Sequence, residues 1–155
     1  MNDNTGWQGH FDVFIKSKDG DWEHDRTIKN TITDGGLNLL RDALYLNTTD
    51  AMIRYIAVGT SSATTLTTAT QLNNEIFRKP IYSKSALSQT GSVQTVAILF
   101  ETEAVAQIEE IGVFAGSTAS ATTNSGVMIS RILYSRNKTN IESVQIQRTD
   151  TLGRA

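Results

Sequence analysis

Along most of this chain, apolar residues recur at every second position, which is the period of a strand with two unlike faces. From His10, Phe11, Val13 and Ile15 fall on one face, and Asp12, Phe14 and Lys16 on the other. Lys18-Asp-Gly-Asp21 then reads as a hairpin turn, because Asp-Gly supplies the backbone that a tight turn needs. The return strand runs from Trp22 to about Thr33, and its charges alternate in sign through Glu23-His-Asp-Arg, as on a solvated face. Met52 to Gly59 is apolar on both faces, which places that strand in the middle of a sheet. Ile76 to Ser85 reads as a long strand with Pro80 at an edge or bulge. A turn at Ser88-Gln-Thr-Gly91 joins it to Val93–Phe100 as a meander hairpin. Further strands are predicted over Gln107–Phe114, Val127–Tyr134 and Ile141–Thr149, with a turn at Asn137–Asn140. The last strand carries only Val144 and Ile146 as strong hydrophobes and is expected to be half-exposed. Thr60–Thr70 and Ala115–Gly126 share a Thr, Ser, Ala and Gly composition without period, and read as surface loops.

The period changes once. Leu37, Leu40 and Leu44 are spaced i, i+3, i+7, with Leu39 and Ala43 beside them, giving a helix over about 34–46 with one greasy face. Thr33 and Asp34 stand where N-cap residues belong, and Asn47-Thr-Thr-Asp50 ends the element with turn formers. Gly35 and Gly36 weaken the first turn but let the backbone approach a neighbour closely. The helix is expected to plug one side or end of a β core. Seven or eight strands at short intervals plus one helix predict an antiparallel β-sandwich or partly closed barrel, mainly β, in a single domain over 10–149. Residues 1–9 read as a flexible arm and 150–155 as a tail.

Charge and chemistry narrow the function. Lys and Arg number 14 against 16 Asp and Glu, without long runs of either sign, so the basic footprint of a nucleic-acid binder is missing. No apolar run reaches the roughly 18 residues that span a bilayer, and the opening residues are not expected to act as a secretory leader. The absence of cysteine excludes disulfides and thiolate chemistry. His10 and His24 have no partner at metal-ligand spacing. Glu101, Glu103, Glu109 and Glu110 flank strands and read as solvated edges, and Asp19 and Asp21 as turn residues. No catalytic, cofactor or metal set is expected, and the chain reads as a small non-enzymatic β domain.

Four segments, in order, carry a resemblance. They are Asn30-Thr-Ile-Thr-Asp-Gly-Gly-Leu-Asn-Leu-Leu40 with Ile56-Ala-Val-Gly-Thr60 after it, Leu72-Asn-Asn-Glu-Ile-Phe-Arg-Lys79, Ile108-Glu-Glu-Ile-Gly-Val-Phe114, and Met128-Ile-Ser-Arg131. In this order the chain resembles small phage virion proteins of the tail-fibre and baseplate type over about residues 10–149. The resemblance implies a multi-copy structural subunit of a virion, assembled in a host cytoplasm, with other virion proteins and copies of itself as partners. Capsid decoration is the alternative within that class. From another class comes a carbohydrate-binding module, in which Trp7, Trp22, Tyr45 or Tyr82 would stack on a host-surface glycan. For the interface the sequence offers Trp7, in a polar arm that gives it no local core, and Phe14 with Trp22, on one face of the first hairpin.

Overall fold

The computed structural model describes residues 6–153. Its elements are β1 (Gly6–Ser17), β2 (Glu23–Lys29), α1 (Asp34–Tyr45), β3 (Ile53–Gly59), β4 (Glu75–Pro80), β5 (Ser83–Ala86), β6 (Ser92–Leu99), β7 (Gln107–Ala115), β8 (Val127–Asn137) and β9 (Glu142–Gly153). All strand pairs are antiparallel, in a five-stranded sheet of order β2-β1-β9-β6-β5 and a four-stranded sheet of order β4-β3-β7-β8. The expected sandwich is therefore present, and the barrel alternative is not, since each sheet keeps two edge strands. The predicted 76–85 strand is two strands. Up to Pro80 it is the edge of the four-stranded sheet, and from Ser83 it is the edge of the other. Pro80, which has no N–H to give a further neighbour, ends β4 at that edge.

The core lies between the sheets. Phe11, Val13, Val144, Ile146, Ala97 and Leu99 of one sheet meet Ile56, Val58, Ile111, Val113 and Ile132 of the other, all essentially buried. On the side away from the β4–β5 crossing, the Tyr134 hydroxyl of β8 donates to Asp25 of β2 at 2.7 Å. Burial and the Asp25 carboxylate together raise the Tyr134 pKa far above a free phenol's. Two expected boundaries move. β1 begins at Gly6 and pairs Trp7 with Leu152, so residues 6–9 are strand rather than arm, and Asp150–Gly153 are strand rather than tail. The remaining residues of the predicted arm and tail lie outside those described.

The four-stranded sheet is buried on its outer face as well. Leu72, Phe114, Ala57, Met128 and Ala119 form a second cluster beneath the two Thr/Ser-rich loops. Buried ions hold those loops down. Glu110, 0% exposed, accepts Arg131 Nε at 2.7 Å and the backbone N–H groups of Asn73 at 3.1 Å and Asn74 at 2.8 Å. Arg131 spends its other nitrogens on Ala63 O, Thr65 Oγ1 and Ser61 O. Arg78 forks onto both Glu75 oxygens, donates to Ser120 O, Ser125 O and Ser125 Oγ, and lies 4.4 Å from the centre of the Phe114 ring. The expectation of a solvated edge at Glu110 is thus overturned: its strand carries it under a loop rather than into water. Gly59 makes the room, because a Cβ there would come within 2.4 Å of Glu110 Oε1.

A candidate assembly interface at the helix end

α1 is capped as its sequence requires. Thr33 Oγ1 accepts the Gly36 N–H at 3.0 Å and donates to Met128 O. Where β8 is out of register with β7, Ile129 is left without a ladder partner, and it points to the helix. Its carbonyl accepts the Thr33 N–H at 3.0 Å. Gly36 lies so close that a Cβ would fall 2.9 Å from Ile129 O and 3.0 Å from Ile129 Cα. Only a glycine permits this approach, as the pattern anticipated.

The contact sets Gly36 against β8. Gly36 is the one α1 residue buried outright, and Leu39 packs on the core. The greasy stripe read from the sequence is split: Leu40 is half-buried beside Leu39, while Leu37 is 49% and Leu44 82% exposed, with Tyr45 at 64% beyond them. An ordinary surface helix turns its apolar stripe inward. Here Gly36, Leu39 and Leu40 turn inward, and Leu37 and Leu44 are bare. Leu46, Met52, Leu66 and Leu152 are further exposed hydrophobes on the helix's flanking segments and at the end of β9. Asp34 N donates to Thr67 O, which brings the Leu66 turn to the helix N-terminus. Beside the inward side of the helix opens a cavity of about 170 Å³, lined by Leu39, Leu40, Ala51, Ile129, Trp7, Asp150 and Leu152 among others.

Trp7 therefore lies at this surface, half-buried as a wall of the cavity. Its Nε1 donates to Asp150 Oδ1 at 2.6 Å, and the Arg148 guanidinium lies 5.7 Å from the centre of its ring. Arg148 is held in the sandwich by Asp150 Oδ1 at 2.7 Å and Ser130 Oγ at 2.8 Å. Burial depresses its pKa, and the Asp150 carboxylate opposes that. The other two named interface residues are elsewhere. Phe14 packs edge-on against His24 on the outer face of the five-stranded sheet, with ring centres 5.3 Å apart. Trp22, 38% exposed at the hairpin tip, has the centre of its ring 6.0 Å from Lys16 Nζ. The structure does not bring the three aromatics together.

Sequence reasoning missed Arg148 and Asp150 because β9 looked half-exposed. The available signal was register: 144, 146, 148 and 150 share one face, so two hydrophobes place the charged pair inward.

Several other ionisable groups are tied into local networks. His10, His24 and the Thr27 hydroxyl surround Asp12. Burial opposes ionisation of Asp12, but Thr27, His24 and His10 outweigh it and hold its carboxyl below the usual value. At the far end Lys138, 1% exposed, donates to Phe100 O, Glu101 O and Thr139 O. Burial lowers its pKa, against the pull of Glu142, Glu103 and Glu101. Around it, burial opposes ionisation of Glu103 and Glu142. Lys79 with the Phe100 N–H, and Arg136 with the Thr139 N–H, outweigh it and keep both carboxyls below their ordinary range. Among the described residues no group of three or more His, Asp or Glu is placed to hold a metal ion, and no helix is long and apolar enough to cross a membrane. The cation and anion pairs are spent on backbone carbonyls, amides and one another rather than on an open cleft. The helix end is apolar and concave. No family model, curated protein or solved structure matches this chain.

Proposed function

We propose that this chain is a structural subunit of a phage particle, present in several copies in a tail or baseplate and acting by protein–protein assembly. The observation that carries the reading is the outward leucine face of α1. A helix that buries a glycine and exposes Leu37 and Leu44 leaves apolar surface in water unless a neighbour covers it. The order of the four sequence segments supplies the virion context. Four polar residues of those segments, Glu75, Arg78, Glu110 and Arg131, form two of the buried ion pairs. They accordingly act in holding loops rather than in recognition.

Antibody labelling of particles recovered from the source culture tests the reading. Label on tails or baseplates is the expected result. Label on heads would favour the decoration role, and an absence of label from every particle fraction would contradict a virion subunit. A glycan array screened with the same protein should stay blank, and a hit blocked by Trp22→Ala would point to the carbohydrate-binding alternative.

A further inference from the structure

A cavity and a knob lie side by side on the helix end. The cavity of about 170 Å³ is bounded by Leu40 of α1, and Leu44, 82% exposed, stands one helical turn further on. We infer that this face binds a second copy of the same chain as a two-fold dimer, the Leu44 side chain of each copy seated in the cavity of the other. The inference rests on the assembly reading given above and names the first partner of that surface.

Three features select a second copy. The first is size. A dry apolar cavity of roughly 150 Å³ takes up benzene, so this one has room for the four carbons of a leucine side chain. The second is shape. A two-fold interface uses one patch twice, so the patch must carry both the projecting and the receiving part, and this one does. The third is charge. Arg41 pairs with Asp42, and Arg54 with Asp50, inside the same chain. Bringing two such faces together sets no unpaired like charges from these residues against each other, whereas a patch built for an oppositely charged partner would carry an excess of one sign. Asp34, the acidic residue of the first turn, is ten residues from Leu44, about 15 Å along the helix.

Sedimentation equilibrium of the full chain from about 1 to 100 µM is the test, with three variants. The wild type is expected to dimerise. Leu44→Asp removes the knob, and Ala51→Phe fills the cavity from its wall. Each should weaken association at least about thirtyfold, the effect of losing a central anchor. Ile141→Asp alters another exposed hydrophobe, at the opposite end of β9, and should leave association unchanged. Circular dichroism establishes that each variant is folded. A wild type monomeric throughout, or a dimer that survives both Leu44→Asp and Ala51→Phe, would overturn the inference. The two readings also fail separately. A monomer that joins particles through Leu44 would sink the second-copy inference alone, and a Leu44-dependent dimer absent from all particles would sink the virion reading alone.

Discussion

The helix and the two Thr/Ser-rich loops have exchanged the roles their compositions suggest. The loops 60–74 and 116–126 are polar and without period, yet they are drawn onto the four-stranded sheet by Glu110–Arg131 and Glu75–Arg78, four side chains at most 3% exposed. The helix is the most regular apolar segment of the chain, yet it gives the core little beyond Gly36 and Leu39 and shows Leu37 and Leu44 to solvent. Polar segments can thus be structurally committed when buried ions accept their backbone groups, and an apolar one can be held in reserve for a neighbour. Cohesion of the fold and the exposed apolar surface are placed in different parts of the molecule.

The contrast breaks most sharply at the ions. Glu110→Ala leaves Arg131 buried without its carboxylate and strips the acceptor from the Asn73 and Asn74 amides. Urea unfolding should show a loss of about 3–5 kcal/mol, as for other buried pairs with one member removed. A loss under about 1 kcal/mol would mean the loops are not held this way. Next is Gly36→Val, which sets a branched side chain against the Ile129 backbone; thermal unfolding should report about 1–3 kcal/mol of destabilisation. Gain of stability there would show that the helix does not need its close approach.

Acid acts on the folded scaffold through its paired carboxylates. Asp12, Glu103 and Glu142 all have carboxyls held below their ordinary values, so the stability they contribute is present above the unfolded carboxylate range near pH 4. It is lost as the pH falls through the folded-state values. Urea midpoints should hold from pH 7 to 5 and drop below about pH 4, and midpoints that rise on acidification would contradict the assignment. The smallest effect sharpens the comparison from the other side. Leu44→Ser should change the monomer's unfolding free energy by no more than about 0.5 kcal/mol, because its side chain touches little of its own chain.

Much of this architecture is legible in the sequence. Period-two alternation locates the first hairpin, β3 and β7, and the Thr33 cap with Leu37, Leu40 and Leu44 locates α1 to within a residue or two. What alternation does not reveal is a third layer. Phe114, Met128 and Ala57 make both faces of the four-stranded sheet apolar, a sign that something covers it, but the cover is polar in composition and is held by pairs such as Glu110–Arg131, 21 residues apart. The helix's orientation is hidden for a related reason. A leucine stripe shows which side is greasy, while which side is docked was decided by a glycine and by the unpaired Ile129 of a distant strand. Trp7 reads from the sequence as an interface aromatic in a loose arm, but it lies half-buried in β1 with Asp150 and Leu152 as neighbours, brought to it by a pairing that joins the two ends of the chain.

Hydrogen exchange of the full chain, followed by mass spectrometry at low and high protein concentration, tests this division of labour most directly. The Asn73 and Asn74 amides, bound to Glu110, should be protected at both concentrations, while protection of 37–46 should rise only where the chain associates. Loop amides that exchange freely in the folded chain, or helix amides indifferent to association, would contradict it.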